Sequence, residues 1–238
     1  MNINKTILCV FTVLFLIASC KDKQPGYKDS AGRNDTVSEI KSHTEVESLT
    51  GKSHGLKDIK FNISELPEGI KYNGTIRSSA SWRDKNGINY VMLTETEEKI
   101  QNGESRMKEL YAYHWIYNDN KPTLLWKTYD FIKECPFDIF LEHIGGSLSV
   151  TDLNSNGIAE TIFLYKLSCR SDVSPDDLKL IMHEGEKKYA IRGTMQLEYN
   201  GESSGGQTNI DKSFNNAPKI FLDYARDKWQ KFRSEKIN

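Results

Sequence analysis

The apolar residues of this chain change rhythm along its length. From residue 7 to 17 they run almost unbroken, over residues 21–57 they nearly vanish, and from Ile59 they return, first at period two and finally at helical spacing. Alternation marks strands with one buried face, and a repeat of 3.6 marks an amphipathic helix. Residues 72–82 and 88–96 are rich in β-branched and aromatic side chains and are joined by a turn ending in Asn86-Gly87, a strong hairpin signal. Residues 108–117 and 123–131 form a second pair around a turn at 118–122. In the first strand of that pair Leu110, Ala112, His114 and Ile116 alternate with Tyr111, Tyr113, Trp115 and Tyr117, so the aromatic face needs a cover.

Further along, residues 137–143 and 147–150 lead through a polar loop into 161–167 (TIFLYKL), nearly all β-formers. Ser174-Pro175-Asp176-Asp177 has the cap, proline and acids of a one-turn helix. Residues 178–183 and 188–197 read as another hairpin, with its turn at Glu184-Gly185-Glu186-Lys187, and 198–212 as a polar loop. Phe221, Tyr224, Ala225, Trp229 and Phe232 keep helical spacing, which predicts a C-terminal amphipathic helix over about 217–234 with Asn216 as cap. The fold class expected is mainly β (α+β): an antiparallel sheet or sandwich-like domain closed by that helix.

Charge narrows the partners. Thirty-two Lys and Arg stand against 33 Asp and Glu, a net charge of −1, so no global field would draw in nucleic acid. The N-terminus sets the compartment. Lys5 precedes the apolar run 7–17, which is too short to span a bilayer comfortably and reads as a signal peptide over 1–19. It ends in Leu16-Ile17-Ala18-Ser19-Cys20, which resembles the bacterial lipobox; the resemblance implies that Cys20 is lipidated and anchors the protein to a membrane. Each buried lipid methylene contributes about 0.8 kcal/mol to such an anchor. Residues 20–58 carry too few apolar side chains to offset their ordering entropy and are expected to be a disordered tether before one domain at 59–238. Lys21 and Asp22 weakly resemble a Bacteroidota surface-export signal, which Lys23 interrupts. The location expected is therefore the outer membrane or cell surface, with a periplasm-facing lipoprotein as the alternative.

With Cys9 in the signal and Cys20 lipidated, Cys135 and Cys169 remain in a compartment that permits disulfides. A bridge between them would stabilise by roughly 3 to 4 kcal/mol through loop-closure entropy. Two buried free thiols are the alternative.

Candidate chemistry concentrates at 151–160. Asp152, Asn154, Asn156 and Glu160 offer side-chain oxygens, Ile158 a main-chain carbonyl, and Gly157 a turn. A hard cation such as calcium asks for several oxygens converging at about 2.3 to 2.6 Å. The loop resembles the DxDxDGxxD calcium repeats with two aspartates replaced by asparagine, and it departs from an EF-hand, whose twelfth position here is Phe163. With fewer acids, its affinity is expected in the roughly millimolar range of extracellular modules. An Asx-rich turn that never meets metal is the alternative.

Other motifs are weaker. Tyr111, Tyr113 and Trp115 could stack on a glycan, although rings at period two more often pack a core. Gly201-Glu202-Ser203-Ser204-Gly205 satisfies GxSxG, but no strand and helix of a parallel sheet surround it. The five histidines show no zinc spacing, and the paired acids Glu97-Glu98 and Asp176-Asp177 are adjacent in sequence, which seldom makes an acid/base pair.

The stretch 149–193, above all DLNSNGIAE from Asp152 and SCRSDVSPDDLKLIMHEGEKKYAIRG from Ser168, resembles a family of flavobacterial lipoproteins named for surface polysaccharide biosynthesis. The resemblance implies a role in making or displaying lipopolysaccharide or capsule and brings no catalytic residue with it. A β-rich lipoprotein with one calcium loop is also similar, in architecture alone, to periplasmic lysozyme-inhibitor-like proteins. The expected function is a non-catalytic accessory that binds a surface glycan or an envelope protein. An inhibitor-like protein-binding module comes second and an enzyme of unknown class third.

Overall fold

The computed structural model describes residues 55–101 and 103–236, so the signal segment, Cys20 and nearly all of the tether lie outside it. The strands in chain order are β1 (Lys57–Phe61), β2 (Thr75–Asp84), β3 (Gly87–Glu95), β4 (Lys99–Gln101), β5 (Ser105–Asn118), β6 (Lys121–Cys135) and β7 (Asp138–His143). They continue as β8 (Ser149–Thr151), β9 (Glu160–Arg170), β10 (Asp177–Glu184), β11 (Lys187–Thr194), β12 (Gln196–Tyr199), β13 (Glu202–Gly205), β14 (Thr208–Ile210) and β15 (Ser234–Lys236). A 3₁₀ turn at Lys212–Asn216 precedes the helix α1 (Lys219–Phe232).

Two six-stranded antiparallel sheets face each other. The first runs β1-β2-β3-β5, with β4 beside β3 on one side of β5 and β6 on the other. The second runs β14-β11-β10-β9, with β7 and β8 both on the far side of β9. Alternation along the strands sets what each face buries. Trp82, Val91, Leu110, Ala112 and Trp126 of the first sheet meet Phe163, Tyr165, Ile181 and Ala190 of the second. The opposite face of the second sheet presents Ile162, Leu164, Leu178, Leu180 and Ile191 to Phe221, Ala225 and Trp229 of α1. The helix therefore makes a third layer, burying Phe221, Ala225, Lys228 and Trp229. The mostly β, antiparallel character with one C-terminal helix agrees with the fold class read from the pattern.

Several local expectations are corrected. Residues 174–176 make no helical turn; Asp176 is drawn into the interior, and β10 starts at Asp177. The polar stretch 198–212 contains β13 and β14, because main-chain pairing with β12 and β11 needs no apolar pattern. The helix starts at Lys219 rather than 217 and stops at Phe232, after which Ser234–Lys236 pairs in parallel with β12. Asn216 is not its cap; the helix follows Pro218, and Asp211 caps the 3₁₀ turn through Ser213 N–H. Cys135, at the end of β6, is disulfide-bonded to Cys169 on β9, with Cα atoms 5.8 Å apart.

Candidate cation loop between β8 and β9

The segment from Asp152 to Ala159 leaves β8 and re-enters as β9, held open by backbone that only certain residues accept. Ser155 and Gly157 both lie in the left-handed region, with φ of 56° and 78°. Gly157 has a second reason to be glycine: a Cβ there would meet Lys85 Cε at 2.6 Å. The side chains then turn inward. Asp152 Oδ2 accepts Gly157 N–H at 3.1 Å, Asn154 Oδ1 accepts Asn156 N–H at 3.1 Å, and Asn156 Oδ1 accepts Ile158 N–H at 2.8 Å. Glu160 Oε2 accepts Leu153 N–H at 2.8 Å and the Thr151 hydroxyl at 3.0 Å. Each predicted side-chain ligand thus hydrogen-bonds within the loop or its flanks.

Two oxygens are left over. Asp152 Oδ1 and Glu160 Oε1 are buried and have no hydrogen-bond partner among the described residues, although both side chains are 1% exposed. Burying a carboxylate oxygen unpaired is costly, typically about 1 to 3 kcal/mol or more. The protein supplies no basic side chain in ion-pair contact with either acid among the described residues. Burial pushes the Glu160 carboxyl up to about 7; the charges of Glu184 and Asp152 add to the rise, against the lowering effect of its two hydrogen bonds.

A bound cation would answer both acids, and the donor set fits a hard one: carboxylate and amide oxygens, with no sulfur or imidazole. Among the described residues no three His, Cys, Asp or Glu side chains are grouped to hold a metal, so an ion here would depend on the amide and main-chain oxygens as well.

The loop is also gripped from the other sheet. Asp84 Oδ2, at the end of β2, accepts Ala159 N–H at 3.1 Å and Trp82 Nε1–H at 3.0 Å. Lys85 N–H donates to the Gly157 carbonyl at 3.0 Å, and Lys85 Nζ donates to the Asn156 carbonyl. Sequence reasoning placed Asp84 and Lys85 in a hairpin turn and Glu184 in another. Glu184 in fact borders the loop, its Oε1 accepting hydrogen bonds from Asn154 and Asn156. No signal in the order of residues marks it, because it arrives through the β9–β10 register that sets Glu184 opposite Glu160.

The aromatic row proves closed. Tyr111 and Tyr113 are buried under Leu66 and Ile70 of the segment between β1 and β2 and under Ile76 of β2, with Trp115 beside them and the Tyr113 hydroxyl accepting Asn73 N–H. These three residues are therefore not an open glycan platform; the cover that a two-sided bulky strand needs is supplied largely by Leu66 and Ile70, which looked like connecting loop. Among the rings left in solvent, which also include Tyr72, Phe137 and Tyr199, Tyr129 and Phe131 lie together on β6, 42% and 44% exposed, with Lys127 over the Tyr129 ring and Lys133 over the Phe131 ring. His114 is buried with Nε2 against Asn89 Oδ1 at 2.8 Å. Ser203 of the GxSxG match lies on the exposed strand β13 of a small separate sheet, with Gln196 as its neighbour, and has none of the surroundings of a hydrolase nucleophile. Comparison with protein-family models, curated proteins and solved structures finds no match to this chain.

Proposed function

We propose that this chain is a lipid-anchored envelope lipoprotein, a non-catalytic accessory or binding protein of surface polysaccharide biosynthesis or display, whose β domain is fastened by calcium in the loop from Asp152 to Glu160. The observation that carries the calcium reading is the pair of buried, unpartnered oxygens, Asp152 Oδ1 and Glu160 Oε1, inside one loop. Because Asp84 and Lys85 hold that loop from the opposite sheet, a cation there would strengthen the closure of the sandwich as well as the turn. The bond between Cys135 and Cys169 supports an oxidising compartment, in keeping with the lipobox at Cys20. The polysaccharide role rests on the family resemblance of residues 149–193.

A second reading, a protein-binding module of the lysozyme-inhibitor kind, is favoured by the closure of the Tyr111 and Tyr113 row, which leaves the patch of Tyr129, Phe131, Lys127 and Lys133 to meet a partner.

The test is thermal unfolding of the full-length protein in EDTA and in calcium. Calcium should raise the Tm, and Asp152→Ala should abolish the rise; a wild-type protein indifferent to calcium refutes the fastening. Fractionation of cells carrying Cys20→Ala should find the protein released from membranes, and its retention there would refute the anchor.

A further inference from the structure

A loop built on two asparagines carries an ambiguity that one built on aspartates does not. An amide presents an oxygen on one side and a donating NH₂ on the other, so it can aid a cation only when turned the right way. Glu184, at the end of β10, addresses both amides together: its Oε1 accepts Asn154 Nδ2–H and Asn156 Nδ2–H, each at 2.7 Å. An ionised carboxylate accepts and cannot donate, so rotating either amide by half a turn would set oxygen against oxygen. With the nitrogens held outward, the two Oδ1 atoms stay with the loop's own N–H groups, each keeping a second lone pair free.

Building on the calcium reading above, we propose that Glu184 is the positioning residue of the loop: by holding the Nδ2 groups of Asn154 and Asn156 it keeps their oxygens on the side of the loop's own N–H groups, and thereby turns an Asx turn into a cation site. Partner groups of this kind, which orient ligands without touching the ion, change metal affinity by about 10- to 100-fold. The independent sign that the site expects a ligand is the pair of unpartnered oxygens on Asp152 and Glu160, both side chains 99% buried by their 1% exposure. The assignment also explains why a loop with few acids could work at all: the third carboxylate contributes by orientation, from the next strand.

The experiment is calcium titration of the full-length protein by isothermal calorimetry, with calcium alone as ligand. Glu184→Leu, which keeps bulk and removes the acceptor, should weaken binding at least about tenfold. Glu184→Gln, which keeps an acceptor oxygen, should stay within about threefold of wild type, and it serves as the folded reference should the leucine variant not fold. The decisive arm is a change of sign. With Asn154→Asp and Asn156→Asp together there is no amide left to orient and Glu184 becomes a third repelling charge, so adding Glu184→Leu should tighten binding. Wild-type-like affinity of Glu184→Leu, or Glu184→Gln as weak as Glu184→Leu, would overturn the positioning role while leaving the calcium reading intact. A wild-type protein that takes up no calcium removes both.

Discussion

Two loops flank strand β9, and each buries an aspartate. After β9, Asp176 is 0% exposed and is met by the protein's own cations: Arg170 Nε donates to Oδ1 at 2.7 Å, Ser168 adds a second bond to the same oxygen, and Lys166 Nζ lies 3.5 Å from Oδ2. Before β9 and at its first residue, Asp152 and Glu160 are almost as deeply buried and have no such partner among the described residues. The protonation energetics follow. Burial would push Asp176 up, but the bonds from Arg170 and Ser168 and the charges of Arg170 and Lys166 outweigh it and hold the carboxyl below its usual range. At Glu160 burial wins and the pKa rises. One loop meets its buried acid with cations from within the chain; the other has none in contact among the described residues.

Acid should break the comparison with the largest effect. Asp176, with a lowered pKa, keeps its ion pairs until pH falls through the folded value, below 3.8, so between pH 6 and 4 it is not what fails. His143, which burial pulls down to about 4, and above all His114 and His183 are. Both are buried, His183 stacked on Trp126 with ring centroids 4.0 Å apart, and burial pulls each pKa from 6.5 to about 3. The unfolded chain takes up these protons below pH 6.5 while the native state refuses them until about pH 3, so stability falls as pH is lowered across that window. Each histidine contributes about 1.4 kcal/mol per pH unit. Glu160, with its raised pKa, works in the opposite sense and offsets part of this slope, so denaturation midpoints measured from pH 7 to 4 should fall on balance, and His183→Phe should make the slope shallower by about that amount per unit. An unchanged slope would show that His183 is not the group refusing the proton.

Next in size, Lys166→Ala together with Arg170→Ala should cost about 3 to 5 kcal/mol by stranding Asp176, with the same loss in EDTA and in calcium. A loss that calcium repairs would mean that the two loops are not independent. The smallest effect sharpens the open loop. Gly157→Ala forces a side chain into φ of 78° and against Lys85, and should lower stability by about 1 to 2 kcal/mol while weakening the calcium response, as melting curves in both buffers would register.

Much of this was legible from the order of residues, and the limits have physical causes. Alternation located β2, β3, β5, β6 and β9, because their buried faces need it, and the spacing of Phe221, Ala225 and Trp229 located α1. The oxygen-rich loop also stood out, because its residues are close in sequence. Glu184, Asp84 and Lys85 did not, since each reaches the loop from a turn distant in the chain, and only strand register brings it there. The cover over Tyr111 and Tyr113 was missed for a different reason: Leu66 and Ile70, between β1 and β2, are too isolated to announce an element, yet together with Ile76 of β2 they suffice to shield two rings. Ser174-Pro175-Asp176 carried sound helix-start chemistry, which lost to the stronger demand of Arg170, Ser168 and Lys166 for a buried anion.

Strand β6 extends over 15 residues, and among the described strands it pairs with β5 alone. A border of that length would ordinarily invite another copy to add itself, strand upon strand. Along it stand Pro122, which has no N–H to offer, the solvent-facing ammonium groups of Lys127 and Lys133, and a register break opposite His114 and Trp115. Such features blunt a border against pairing with another copy, so the same strand that leaves two rings open to a partner is fenced against fibril growth.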